Sequence, residues 1–206
     1  MSTPRRAYRS QRRAQDAATT RNDILAAAAE LFTDKGYGRV TVADIARQAG
    51  VAQKTVYASA GSKADILNEL IASDVANSGA VETLAAVLRT SDLRQALDVV
   101  AHGTRMGNET HQESLDIIYA AMSVHDDAEA LWERSTGVYR AVLLEIATHL
   151  AGRGVLREDA ARAADVLWFC FGPGSWRILV KGCGWSWDDA ERWLADQSFS
   201  MLARSA

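Results

Sequence analysis

Gln53, Lys54 and Thr55 are three consecutive side chains whose chemistry suits the edges of base pairs. A lysine ammonium donates to guanine O6 and N7, a glutamine amide pairs with adenine, and a threonine methyl meets the methyl of thymine. To reach those atoms they must project from the leading end of a short helix that enters the major groove. The flanking residues predict such a helix. Val51 to Ser59 follows Gly50, whose missing Cβ permits the left-handed conformation of a sharp turn. Before it, Thr41-Val-Ala-Asp44 forms a capping pattern for a helix running to about Gln48, with a carboxylate three residues after a hydroxyl. Ala46 lies four residues before Gly50 and Val56 six after it. Two short helices crossing steeply need a small residue at the crossing, glycine in the turn and an aliphatic anchor, so this is helix-turn-helix spacing.

Two further helices must hold this pair. From Thr20 to Lys35-Gly36, residues Ile24, Leu25, Ala28, Leu31 and Phe32 share one helical face, with a cation and a glycine closing the end. Ser62-Lys-Ala-Asp65 repeats the cap pattern, and Ile66, Leu67, Leu70 and Ile71 stripe a fourth helix to about Ala76. Beyond it, helices are predicted at roughly 81–90, 92–106, 110–123, 127–151, 158–181 and 188–203, the penultimate one broken or kinked near Pro173. With only two prolines in 206 residues and abundant Ala, Leu, Arg and Glu, the fold class is all-α. Residues 1–20 are arginine-rich without apolar period and read as a flexible arm.

The net charge of −3 conceals a division: residues 1–64 hold 11 Lys/Arg against 5 Asp/Glu, while residues 65–206 hold 12 against 21. A basic head on an acidic body implies that the head, and not the body, meets a polyanion. The most apolar window, Val166 to Val180, is cut by Gly172-Pro-Gly-Ser175 and carries Arg177, short of the roughly 20 apolar residues that span a bilayer. The amino-terminal arginines precede no apolar stretch, so a cytoplasmic location without membrane contact is expected. Cys170 and Cys183, thirteen apart, match no zinc or CxxC spacing and read as buried free thiols.

A longer run of residues narrows the reading. Thr20-Arg21-Asn-Asp-Ile-Leu-Ala-Ala-Ala-Ala-Glu-Leu-Phe32, Lys35-Gly36-Tyr37, Thr41-Val-Ala-Asp-Ile-Ala46, Ala49-Gly50-Val51, Lys54-Thr-Val-Tyr57 and Gly61-Ser-Lys63 together resemble the TetR family of transcriptional regulators. The resemblance is continuous over about fifty residues. It implies a three-helix DNA-binding domain (residues 21–76) and a helical effector-binding and dimerisation domain (77–206), behind the arm of residues 1–20. It also implies that Thr41, Tyr57 and Lys63 face phosphates, which agrees with Thr41 and Lys63 standing at helix N-termini. The arm arginines Arg5, Arg6, Arg9, Arg12 and Arg13 are candidates for minor-groove or phosphate contact. The chain departs from the family pattern at Ala52, where serine is usual, and at Ala60, where phenylalanine is usual. The first change removes a cap hydroxyl.

For the second domain the resemblance implies a small, mainly apolar effector and a homodimer through the last two helices, with Trp193, Leu194 and Met201 as one stripe of a four-helix bundle. Met106, Tyr119, Met122, Tyr139, Trp168 and Phe171 are candidate pocket residues, and they fill an ordinary core equally well. His102, His111 and His125 can orient a polar ligand atom but make no metal pattern. With no nucleophile–base pair and no phosphate-cradling loop, an enzyme, a metal and a cofactor are not expected. The expected function is a ligand-responsive regulator, most simply a repressor, on a palindromic double-stranded operator. The alternative is an architectural DNA-binding protein that senses nothing, and recovery of one preferred site under competition separates them.

Overall fold

A computed structural model describes residues 4–122 and 126–204. Eleven α-helices are found among the described residues: α1 (Pro4–Lys35), α2 (Val42–Gln48), α3 (Gln53–Ala60), α4 (Lys63–Ala76), α5 (Ala80–Val87), α6 (Leu93–Thr110), α7 (Gln112–Met122), α8 (Asp126–Gly152), α9 (Ala160–Phe171), α10 (Pro173–Trp176) and α11 (Trp187–Leu202). A 3₁₀ turn, Tyr37–Arg39, joins α1 to α2, and a π-helical segment, Arg177–Gly182, follows α10. Among the described residues the sole β feature is an isolated bridge between Leu156 and Ala203. The fold is all-α, with a helix-turn-helix at α2–α3. No helix of the described residues is long and apolar enough to cross a membrane.

The chain divides into two compact units: Met1–Ser73 with Asp116–Trp132, and Asp74–Leu115 with Glu133–Ala206. In the first, Ile24, Ala28 and Phe32 of α1 are buried together with Ile45 and Ala46 of α2, Val56 and Ala60 of α3, and Ile66, Leu67 and Ile71 of α4. The stripes read from the sequence are those that face inward. Both capping patterns close: Thr41 and Asp44 exchange side-chain and backbone hydrogen bonds at α2, and Ser62 and Asp65 do so at α4 (2.8 and 3.2 Å). Gly50, with φ +68°, makes the turn between α2 and α3 in the left-handed region.

In the second unit, α6, α8, α9 and α11 enclose a core that includes Leu97, Val100, Leu143, Ile146, Leu150, Leu167, Phe171 and Trp176. Salt bridges reinforce α6 against α11. Arg105 pairs with Glu191 (2.8 Å), Asp188 and, along its own helix, Glu109 (3.2 Å), and Arg94 pairs with Asp196 and Asp98. The hydrogen bond that Arg105 donates to Glu191 leads the contacts that raise its pKa further.

The structure corrects several expectations. Residues 4–20 are not a flexible arm but the beginning of α1. Pro4 occupies a first-turn position that tolerates proline, and Ala, Arg and Gln extend a helix whose nucleation the packed part has already covered. Arg12 is exposed there, while the side chains of Arg5, Arg6, Arg9 and Arg13 lie outside those described, as does His125. Residues 116–132 belong to the first compact unit and not to a continuous second domain from 77 to 206, because helical periodicity carries no record of where a helix packs. The penultimate helix splits at Gly172, whose extended backbone (ψ 156°) precedes Pro173. Cys170 is buried, which pushes its thiol up to about 11, but Cys183 is exposed.

Candidate nucleic-acid interface

α3 is two turns long, and its inward face is Val56 and Ala60. Gln53, Lys54 and Tyr57 consequently point away from the core, with Tyr57 56% exposed and Thr55 partly covered. Among the described residues, nothing hydrogen-bonds to the side chains of Gln53, Lys54 or Tyr57, so their donors stay available. Ala52 stands at the N-cap and supplies no side-chain hydrogen bond, leaving the first N–H groups of α3 free. Thr41 is exposed, yet its hydroxyl already donates to Asp44 Oδ2 (2.6 Å) and accepts from the Asp44 N–H (3.2 Å). Hydrogen bonds from the Thr41 hydroxyl and backbone, with Arg47 adding its charge, hold the Asp44 carboxyl below its usual range.

The model of the tetR family of bacterial regulatory proteins matches residues 24–70, the stretch from the packed part of α1 into α4. An uncharacterized HTH-type transcriptional regulator of Mycobacterium tuberculosis is 33% identical over 154 residues, covering 73% of this chain and 74% of that one. The chain belongs to the TetR family. It is therefore a DNA-binding transcriptional regulator. Solved structures share the fold at lower identity. The fatty acid degradation regulator FadR of Bacillus halodurans has a TM-score of 0.72 at 18% identity, covering 90% of this chain and 97% of that one. NalD of Pseudomonas aeruginosa, the secondary repressor of the MexAB-OprM multidrug efflux pump, has a TM-score of 0.69 at 23% identity, covering 93% of this chain and all of that one (100%).

In this TetR-family chain Lys63 sits differently from the other expected DNA contacts. Its ammonium donates to the carbonyls of Tyr37 (2.9 Å) and Val40 (3.0 Å) and lies 4.2 Å from the centre of the Tyr37 ring. Partial burial lowers its pKa. The lysine fastens the turn between α1 and α2, and two of its three N–H bonds face inward. Its long stem reaches both carbonyls, of which that of Tyr37 also accepts the Val40 N–H that closes the 3₁₀ turn (3.3 Å).

The effector-side candidates do not form one cluster. Tyr139, Trp168 and Phe171 come together in the second unit: the Tyr139 hydroxyl donates to the Phe171 carbonyl (2.9 Å), and its ring lies edge-on to Trp168 (5.8 Å). Burial drives the Tyr139 phenol far above its ordinary pKa, with the Thr104 hydroxyl opposing. Tyr119 instead packs on Trp132 in the first unit (4.9 Å), Met122 belongs to that unit too, and Met106 is half exposed. His102 lies 3.2 Å from Glu191, and His111 lies 3.0 Å from Asp74.

Sequence reasoning did not single out Asn108. It is buried on α6, its Nδ2 donates to the Thr104 carbonyl (2.7 Å), and its Oδ1 has no partner. A polar residue in phase with Leu97, Ala101 and Thr104 was the available signal. Leu194 also corrects the bundle stripe, since it is buried in its own unit's core while Trp193 is exposed.

Replacing Lys63 by Met keeps the stem and removes the donors. We expect Lys63→Met to lower stability to urea by about 1 kcal/mol, while the salt slope of duplex binding stays within roughly half a unit of the original. A slope reduced by about one unit at unchanged stability would assign the ammonium to phosphate instead.

Proposed function

We propose that the protein is a ligand-responsive repressor that binds a palindromic operator as a homodimer in the cytoplasm. The observation that carries this reading is the outward presentation of Gln53 and Lys54 at the leading end of α3, unpartnered, while Val56 and Ala60 anchor the helix from behind. In this reading Gln53, Lys54 and Thr55 read bases. Thr41, Tyr57 and the uncapped start of α3 hold phosphates, and the basic α1 extension adds sequence-independent attraction. Residues 21–76 supply the DNA-binding function, and the second unit, Asp74–Leu115 with Glu133–Ala206, supplies effector binding and dimerisation.

A face for dimerisation is supported by exposed apolar side chains on the last helical segments. Phe169 is 70% exposed, Ile178 is 63% exposed, and Trp193 stands beside Trp185 at 5.6 Å. Large apolar groups in such number on one stretch mark an interaction surface. A two-fold pairing there would place two recognition helices on half-sites about one helical turn apart, or a multiple of it.

Effector binding is supported by Asn108 and by the fully buried Trp176, whose indole N–H also lacks a partner. A buried amide oxygen without a donor carries a desolvation penalty of about 1–3 kcal/mol. An apolar molecule presenting an N–H or O–H would remove that penalty on binding. Such a ligand, favouring one arrangement of α6, would act on operator binding through α4, the continuous helix that begins in the first unit and ends in the second. By linkage, operator DNA must weaken the ligand by the same factor.

Selection from random duplexes tests the central reading. The expected product is a palindrome, and Gln53→Ala or Lys54→Ala should relax preference at particular base pairs by about 1–3 kcal/mol. Recovery of no preferred site would indicate an architectural protein. For the dimer, the pair Phe169→Glu and Ile178→Glu is expected to convert the species seen in sedimentation from dimer to monomer, and an unchanged mass would remove this face from the assembly. For the effector site, Asn108→Leu should raise the thermal midpoint of ligand-free protein by about 2–4 °C, the shift for roughly 1 kcal/mol at this chain length. A lowered midpoint would make Asn108 a structural residue.

A further inference from the structure

Arg21 stands near the point where α1 becomes part of the packed core, and its guanidinium meets two other helices. Its Nε donates to Glu69 Oε1 (2.7 Å) and one terminal nitrogen to Glu69 Oε2 (2.6 Å), a two-pronged pair with α4. The other terminal nitrogen donates to the backbone carbonyl of Ser59 in the last turn of α3. The three bonds are chemically distinct in what they fix. A bidentate carboxylate sets the plane of the guanidinium, and the planar fork then sets the direction of its remaining N–H groups. The Ser59 carbonyl is one of those a helix leaves without an internal partner, and a cation at a helix C-terminus is favoured by the helix dipole.

We propose that Arg21 is a positioning residue for DNA reading: it locks the C-terminal turn of the recognition helix to α4, and so fixes the angle at which Gln53, Lys54 and Thr55 are presented. α3 has need of such a tie. Only Val56 and Ala60 of its eight residues are buried, and its N-terminus has no side-chain cap. Two anchors on one side leave rotation about the line joining them weakly opposed, and the Arg21 bridge opposes it. Because Glu69 neutralises the guanidinium at close range, Arg21 acts on specificity without serving as a phosphate ligand. The bridge also makes α3 and α4 move together, so any displacement of α4 is passed to the reading end. This inference rests on the proposed reading of bases by α3.

The test uses the full chain, the duplex recovered by selection, and a scrambled duplex of equal length. Affinities are compared at a temperature where thermal unfolding shows every variant folded. Arg21→Gln is expected to reduce the ratio of selected to scrambled affinity about tenfold, the scale of one charge-assisted hydrogen bond. The salt slope on the scrambled duplex should stay unchanged. Glu69→Gln should act in the same direction, and the double variant should lose less than the sum of the two. Arg21→Lys should fail to restore the ratio, since an ammonium cannot bridge the same three acceptors. If Arg21→Gln does not fold, Glu69→Gln gives the same readout alone. A slope lowered by about one unit with the ratio preserved would make Arg21 a phosphate contact and overturn the proposal. A ratio unchanged in Glu69→Gln would overturn it as well. Loss of discrimination in the unmodified protein would instead defeat the reading of bases by α3 itself.

Discussion

The DNA-reading end depends on how closely α2 and α3 approach at their crossing. An eight-residue helix has no stability of its own in water, so its position is whatever its neighbours impose. Ala46 is buried at the contact, Gly50 turns the chain with φ +68°, and the Val51 N–H closes on the Ala46 carbonyl at 2.9 Å. A larger side chain at Ala46 would separate the two helices and carry Gln53, Lys54 and Thr55 outward with α3. Base-edge contacts tolerate little displacement, because hydrogen bonds weaken steeply with distance and angle. In the proposed reading of bases by α3, the smallness of one residue therefore conditions how the three side chains that follow the turn are presented.

Short helices have more ends per residue than long ones, and each end leaves four N–H or C=O groups to be satisfied. The first unit answers with polar side chains: Thr41 and Asp44 at α2, Ser62 and Asp65 at α4, Lys63 at the 37–40 turn, and Arg39 on the Lys35 carbonyl (2.6 Å). This changes the meaning of the basic charge in residues 1–64. Arg21, Arg39, Arg47 and Lys63 all have acceptors within the chain, so the charge count overstates what faces DNA. On α3 itself Lys54 is the cation, and among the described residues it has no partner.

The parts of the fold that are local were legible in the sequence. The α2–α3 turn, both capping boxes, the inward stripes of α1 and α4 and the break at Gly172-Pro173 all follow from residue types within a few positions of one another. The parts that depend on distant partners were not. Nothing near Lys63 announces the Tyr37 and Val40 carbonyls more than twenty residues away, and nothing near Arg21 announces Glu69. The return of residues 116–132 to the first unit is likewise invisible to periodicity, which reports that a face is apolar and not what it meets. The helical start at Pro4 is hidden for another reason: low hydrophobicity looks the same in a disordered arm and in an exposed helix, and alanine and arginine propagate a helix that a packed neighbour has nucleated.

The same distinction separates the two ends of α6. From Leu93 through Leu97 to Val100 and Ala101 its inner face is aliphatic, as a core helix requires. Thr104 continues that face and satisfies its hydroxyl locally, on the Ala101 carbonyl (3.1 Å). Asn108 satisfies only its amide nitrogen in this way. Its oxygen needs a donor, and a helix has none to offer at that position, because each interior N–H is already bonded to a carbonyl four residues earlier. A leucine at 108 would extend the stripe at no polar penalty. An asparagine at 108 therefore carries a desolvation cost on its buried oxygen that a leucine would not, and only a donor from outside the helix would relieve it.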